Sequence, residues 1–366
     1  MMHKTKINHL FNYEIKKRII ILSITSKNLL LIIFCLFLLG CEASLNIEKI
    51  NQELEKQVRR TDQFQGLSRN DSHLIAVGAD GSNGLILQSA LTSTNKAKTP
   101  MLESNSVANE IIWTRKIIAK QSTLIDVVAC PDQSFIALAT DKKIWRSSDN
   151  GSNWQAFDIP TQEDILALTC APDNSIWVVG SFSTIMHSKD HGQSWNSNSL
   201  NEDAMLTSIH FLDEKTAMVV GEFGVFSRSD DAGLNWNPPE YIPNDFYVQN
   251  AHFNSVDEIW VGGLSGQILY TKNGGQNWTQ QNTPTDSPIY GFSQTSDRLF
   301  AFGDHSTLLE LKGEQWIAVN KKGKPVYLRD VLLLANGQLL LAGGSGSLYT
   351  QAIQTAKSLA SNSHKD

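Results

Sequence analysis

The sequence predicts an all-β chain folded as a seven-bladed β-propeller built from four-stranded antiparallel blades. Three observations carry this. The octets "SSDNGSNW", "SKDHGQSW", "SDDAGLNW" and "TKNGGQNW" end at Trp154, Trp195, Trp236 and Trp278, spaced 41, 41 and 42 residues apart. The segments around them keep the same register, so that "LTSIHFLDEKTAMVVGEFGVFSRS" aligns with "VQNAHFNSVDEIWVGGLSGQILYTK". A repeat of 40 to 45 residues with four β-rich runs has the period of a propeller blade, and residues 74–353 hold seven such units.

The chain opens differently. Residues 1–40 carry Lys4, Lys6, Lys16, Lys17, Arg18 and Lys27 against Glu14 alone, followed by the apolar run "LLLIIFCLFLL" and "GC". A basic stretch, a short apolar stretch and a small residue form the pattern of an export signal, whereas a spanning helix needs about 20 apolar residues. "LLGC" resembles the bacterial lipoprotein box, which makes Cys41 the expected lipid attachment site after removal of residues 1–40. The rival is an uncleaved anchor formed with "RIIILSI" around Lys27. Glu42 stands where Asp favours inner-membrane retention in some bacteria, which leans the expectation towards the outer membrane, facing the periplasm.

The whole chain has 31 basic and 37 acidic residues; without the six and one in residues 1–40, the net charge is near −11. Such a surface repels nucleic acid and anionic lipid headgroups. Membrane association is therefore expected from acyl chains.

Residues 41–73 read as a tether that ends in a ring-closing strand. "EASLNIEKINQEL" is polar with loosely spaced Leu45, Ile47, Ile50 and Leu54, suiting a tether or short helix. The first unit, from Leu74, lacks its opening strand and the last, ending near Ile353, its closing one. Residues 55–73 are expected to pair with the final blade, because an open edge invites aggregation. The first unit also carries a polar insertion at residues 90–109, the expected place for adaptable contacts. Residues 354–366 read as a flexible tail.

Within each unit a short run meets a turn, a second run ends in Gly, and a third leads through the octet to a Trp-led fourth. The repeated residues are Ser147, Asp149, Gly151 and Trp154; Ser188, Asp190, Gly192 and Trp195; Ser229, Asp231, Gly233 and Trp236; and Thr271, Asn273, Gly275 and Trp278. The carboxylate or amide and the hydroxyl accept backbone N–H bonds inside a turn, Gly supplies positive φ, and Trp buries a large ring. Their expected role is structural.

Two further sets of residues invite chemistry. Cys130 and Cys170 fall near the ends of corresponding runs in neighbouring units. An oxidising compartment permits a bridge, but such strands usually diverge, so two buried free thiols are expected. "HSKDHGQSW" puts His187 and His191 beside Asp190, yet the register makes His187 an outward strand residue and places His191 in the slot held elsewhere by Asn150, Ala232 and Gly274. His210 and His252 occupy matching first-strand positions where both could approach the central channel. No His/Asp pair recurs at ligand spacing, so no metal, cofactor or catalytic residue is assigned.

The four octets resemble the Asp-box, or bacterial neuraminidase repeat. The longer unit, best seen in "VVGEFGVFSRSDDAGLNW", resembles the photosystem II stability and assembly factor-like propeller family. That resemblance implies a non-enzymatic, extracytoplasmic propeller, lipid-anchored in some members, that binds membrane-protein subunits during assembly. The partner expected here is an envelope membrane protein or complex, bound by a monomer. The arginine-rich patch of that family is not visible: residues 74–353 hold Arg115, Arg146, Arg228, Arg298 and Arg329. The alternative is an Asp-box glycoside hydrolase, sialidase-like, or a carbohydrate-binding propeller. The Arg-Ile-Pro segment of sialidases is missing, while paired carboxylates on distant loops would converge at a propeller's central face.

Overall fold

The computed structural model describes residues 46–91, 111–295, 297–319 and 326–353. Residues 1–40, Cys41, nearly all of the insertion and the 354–366 tail lie outside the described residues. Helix α1 (Ile47–Glu55) forms part of a unit separate from the propeller. Asn46 caps it, its side-chain oxygen accepting the Lys49 N–H at 3.0 Å.

From Asp62 onward the chain is seven consecutive antiparallel sheets, the blades of the propeller. Six have four strands in chain order and the seventh has three among the described residues. The fourth blade is representative: Leu206–Phe211, Ala217–Gly221, Val225–Ser229 and Glu240–Tyr241. Second strands such as Ile176–Gly180 and Ala217–Gly221 are buried along their whole length. They are covered on both faces by neighbouring blades, which is why they read as continuous apolar runs.

The core is divided among the seams between blades. Seven clusters of buried residues each join two neighbours: Ile136 and Val178 lie in the seam of blades two and three, and Met218 and Val261 in that of four and five. The seventh cluster unites Phe64, Leu67 and Leu74 of the first blade with Leu334, Leu340 and Ala342 of the last, closing the ring.

Closure differs from the sequence expectation. Residues 62–69 do form a strand, but it pairs with His73–Asp80 as the innermost strand of blade one. Among the described residues no strand is exchanged across the seam. Packing joins the ends instead, together with Gly346 N–H donating to the Asp62 carbonyl at 2.8 Å and the Tyr327 hydroxyl donating to Gln63 at 2.6 Å. Within blade one, Arg115 on the outer strand makes a bidentate pair with buried Asp62, at 2.8 Å to each oxygen, and reaches Asp80 at 2.7 Å.

Every innermost strand carries a one-residue bulge, at Gln65, Ile125, Leu166, Thr207, Gln249, Tyr290 and Arg329. The bulge explains the Gly that ends most second strands. A Cβ on Gly180 would lie 1.8 Å from the Asp164 carbonyl oxygen, and one on Gly221 would lie 2.2 Å from that of Met205. The kinked inner strand approaches its neighbour too closely for a side chain.

Candidate functional site

Because each blade is an antiparallel meander, its turns sort onto two faces. The 1–2 turns and the Asp-box hairpins emerge on one face; the 2–3 turns and the connections between blades emerge on the other.

On the box face the four octets share one network. Ser188 Oγ donates to Asp190 at 2.8 Å and accepts the Gly192 N–H at 2.7 Å, while Asp190 accepts the Ser194 N–H at 2.8 Å. Ser147, Asp149 and Gly151 repeat it, as do Ser229, Asp231 and Gly233, and Thr271, Asn273 and Gly275. The hydrogen bonds of Ser194 and Ser188 hold the Asp190 carboxyl down at about 2. The slot of Asn150, His191, Ala232 and Gly274 has φ near +60° in all four copies, so His191 is a left-handed turn residue.

Two features of the box were not read from sequence. The residue before each Trp is a working member: Asn153, Ser194, Asn235 and Asn277 all donate a backbone N–H to the box oxygen, and Asn153, Ser194 and Asn235 add a side-chain bond. The recurrence of Asn, Ser, Asn and Asn there was the available signal. The box Gly also seats its hairpin on the preceding blade. A Cβ on Gly233 would fall 2.5 Å from the Trp177 ring, and one on Gly275 would fall 2.6 Å from that of Phe226. The Trp side chains pack partly buried in the same seams.

His187 and His210 pack against aromatic rings. His187 stacks on Trp177 with ring centroids 4.3 Å apart, which corrects its reading as an outward residue. Its position opposite Trp177 in the adjoining strand brings the two rings together. His210 is held at about 4 by burial and then by the nearby His252, and packs 5.2 Å from Phe253. Among the described residues no group of three or more metal-ligating side chains assembles.

Cys130 and Cys170 are joined in a disulfide, with Cα atoms 5.2 Å apart. The expectation of free thiols fails because these residues sit at the ends of innermost strands, where neighbouring blades converge; only the outer strands diverge. The bridge borders a pocket of about 570 Å³ on the box face, lined also by Arg69, Asp71 and Gln133.

The arginines are largely committed to their own blades. Arg115 pairs with Asp62 and Asp80, Arg146 with Asp132, Arg228 with Asp230 and Arg298 with Glu310. Arg329 instead lies over the Tyr290 ring at 4.4 Å. Two inner-strand carboxylates, Asp126 and Asp330, are equally committed: each accepts one N–H from its own strand and one from the next blade.

The 2–3 face has a different character. In blades three to seven its turns place two successive residues at positive φ: Phe182-Ser183, Phe223-Gly224, Ser265-Gly266, His305-Ser306 and Ser345-Gly346. Tight hairpins of this form favour Asn-Gly, yet blades three and four put Phe first. Phe182 is 58% and Phe223 54% exposed.

Fold and box geometry together define an Asp-box seven-bladed propeller. Residues 105–239 match the family model described as photosynthesis system II assembly factor YCF48, so the resemblance carried by the octets holds over the segment containing three of them. No curated protein matches the sequence. Among solved structures, YCF48 bound to D1 peptide is 14% identical with a TM-score of 0.63, covering 82% of this chain and 96% of that one. YCF48 from Cyanidioschyzon merolae is 14% identical with a TM-score of 0.60, covering 81% and 98%. Virginiamycin B lyase from Staphylococcus aureus is 12% identical with a TM-score of 0.65, covering 81% and 96%. At these identities the likeness is one of fold, shared by assembly factors and a lyase alike.

Proposed function

We propose that this chain is an exported, lipid-anchored propeller that acts without catalysis, as a binding scaffold or assembly factor for envelope membrane proteins. The match of residues 105–239 to the assembly-factor family carries the reading. The solved YCF48 bound to a D1 peptide supports a polypeptide as the kind of ligand. A closed ring is a rigid platform with two loop-lined faces, suited to recognition without a moving lid. Export is supported by the basic and apolar opening segment and by the Cys130–Cys170 bridge, which suits an oxidising compartment. The lipid would sit on Cys41.

Affinity purification from native membranes after mild crosslinking tests the role. Enrichment of an envelope membrane protein over an unrelated lipoprotein control is expected. Recovery of no such partner, together with turnover of a sialoside or glucan panel or of quinupristin, overturns it in favour of an enzyme.

A further inference from the structure

The 2–3 face of blades three to five carries a ridge of exposed aromatic and apolar residues set among polar contacts. Leu166, Phe182, Phe223, Tyr241 and Leu264 are 37 to 58% exposed. Single exposed apolar residues are ordinary, but several on one face of three successive blades form a patch of the kind that marks an interaction surface.

Direct contacts link its parts. Ser199 Oγ donates to the Phe182 carbonyl at 3.1 Å, and Ser183 Oγ donates to the Glu202 carbonyl at 3.0 Å. The Tyr241 hydroxyl donates to the Glu202 carboxylate. Ile242, next to Tyr241, donates its N–H to the Gly224 carbonyl at 2.8 Å, beside Phe223. Glu222 then accepts the Met205 N–H at 3.1 Å and the Tyr247 hydroxyl, and the Tyr247 backbone crowds Gly263, beside Leu264.

The ridge is acidic throughout. Glu163, Asp164, Glu202, Asp203, Glu222 and Asp245 lie in these turns and connections, whereas residues 159–186, 196–214, 216–227 and 237–271 contain no Lys or Arg. Lys142, at the flank in blade two, is drawn to Asp164 at 3.9 Å. A second copy of this chain would bring a like charge, and an anionic membrane would be repelled.

We propose that this ridge is the client-binding surface and that its ligand is a basic, amphipathic polypeptide segment, with Lys or Arg interspersed among large apolar side chains. Phe182 and Phe223 supply the apolar anchors and the carboxylates supply the complementary field. This rests on the scaffold reading and names the face and the ligand chemistry. The left-handed backbone of the two Phe residues supplies a control, because Asn accepts that conformation more readily.

The test is fluorescence anisotropy with a labelled 18-residue Lys/Leu amphipathic peptide and its Glu/Leu counterpart at physiological salt. The Lys/Leu peptide is expected to bind at least tenfold more tightly than the Glu/Leu peptide. Phe182→Asn with Phe223→Asn should weaken it at least tenfold, with Tm unchanged or raised. Leu234→Asn, an exposed position on the box face, should leave binding unchanged. Equal binding of both peptides, or full binding by the double Phe variant, overturns the proposal. The crosslinking experiment repeated with the double variant separates the two claims. Undiminished capture of a membrane partner keeps the scaffold and discards this face; capture by neither form discards the scaffold.

Discussion

Asp330 in the last blade accepts the backbone N–H of Leu67 in the first at 2.7 Å, and so bridges the seam where the ring closes. Its other oxygen takes the Val331 N–H at 2.7 Å. Asp126 repeats the arrangement between blades two and three, taking the Leu168 N–H at 3.0 Å.

Burial pushes Asp330 up to about 7 and Asp126 up to about 6, against the N–H bonds that pull both down. A carboxyl raised in the folded state holds its proton more tightly there than in the unfolded chain. Its stabilising contribution is complete below an unfolded value of about 3.9 and is lost as pH rises through the folded value. His210, held at about 4, acts oppositely and costs stability as pH falls below about 6.5. The stability of the protein relative to Asp330→Asn should therefore be greater at pH 5.5 than at pH 8, by about 2 kcal/mol. Denaturant titrations at the two pH values check this, and a constant difference contradicts it.

Gly233→Ala should destabilise the protein by about 2 to 3 kcal/mol, combining overpacking against Trp177 with a backbone at φ +82°. Gly81→Ala, at φ +61° with nothing within 4 Å of the added carbon, should cost about 1 kcal/mol. Equal losses in chemical denaturation would show that conformation alone requires the box glycine.

Asn153→Ala removes the 2.7 Å amide bond to Asp149 and keeps the backbone bond. A loss of about 1 kcal/mol is expected. Asn277→Ala, in the box whose oxygen belongs to an amide, should cost less, because Asn277 is seen to give only its backbone N–H. Thermal melts of the two variants side by side decide whether the residue before the tryptophan contributes.

Cys130 and Cys170 should resist alkylation in the oxidised protein and become reactive after reduction. At a sequence separation of 40, the chain-entropy treatment gives about 4 kcal/mol for the bridge. Intact mass and melts with and without reductant test it; two free thiols in protein purified from its native compartment would refute the bridge.

With the lipid on Cys41 as proposed, Cys41→Ala should release the protein from membranes into the soluble fraction. Unchanged membrane partitioning in cell fractionation would refute lipid anchoring.

Local chemistry left the clearest traces in the chain. The box hairpins were legible because Ser188, Asp190, Gly192 and Trp195 act within eight residues of one another, and seven blades followed from counting them and their degenerate copies. The opening strand "DQFQGLSR" was not assigned to its blade because Phe64 and Leu67 are its only large apolar residues, although it pairs with its sequence neighbour His73–Asp80. The Cys130–Cys170 bridge depends on how closely inner strands converge, a property of seven blades together. Phe182 and Phe223 were visible as apolar residues within "GSFST" and "GEFGV", but strand periodicity gives no sign that a tight left-handed turn presents them to solvent.

Six of the seven seams are crossed by the polypeptide itself, while the seam between blades seven and one is held by side chains and a few hydrogen bonds. Mechanically the propeller is a split washer. Tension applied between Asp62 and Ala352 would load that joint first, and a circular permutant with its ends moved elsewhere would turn it into a covalent link and shift the weak point to a new seam.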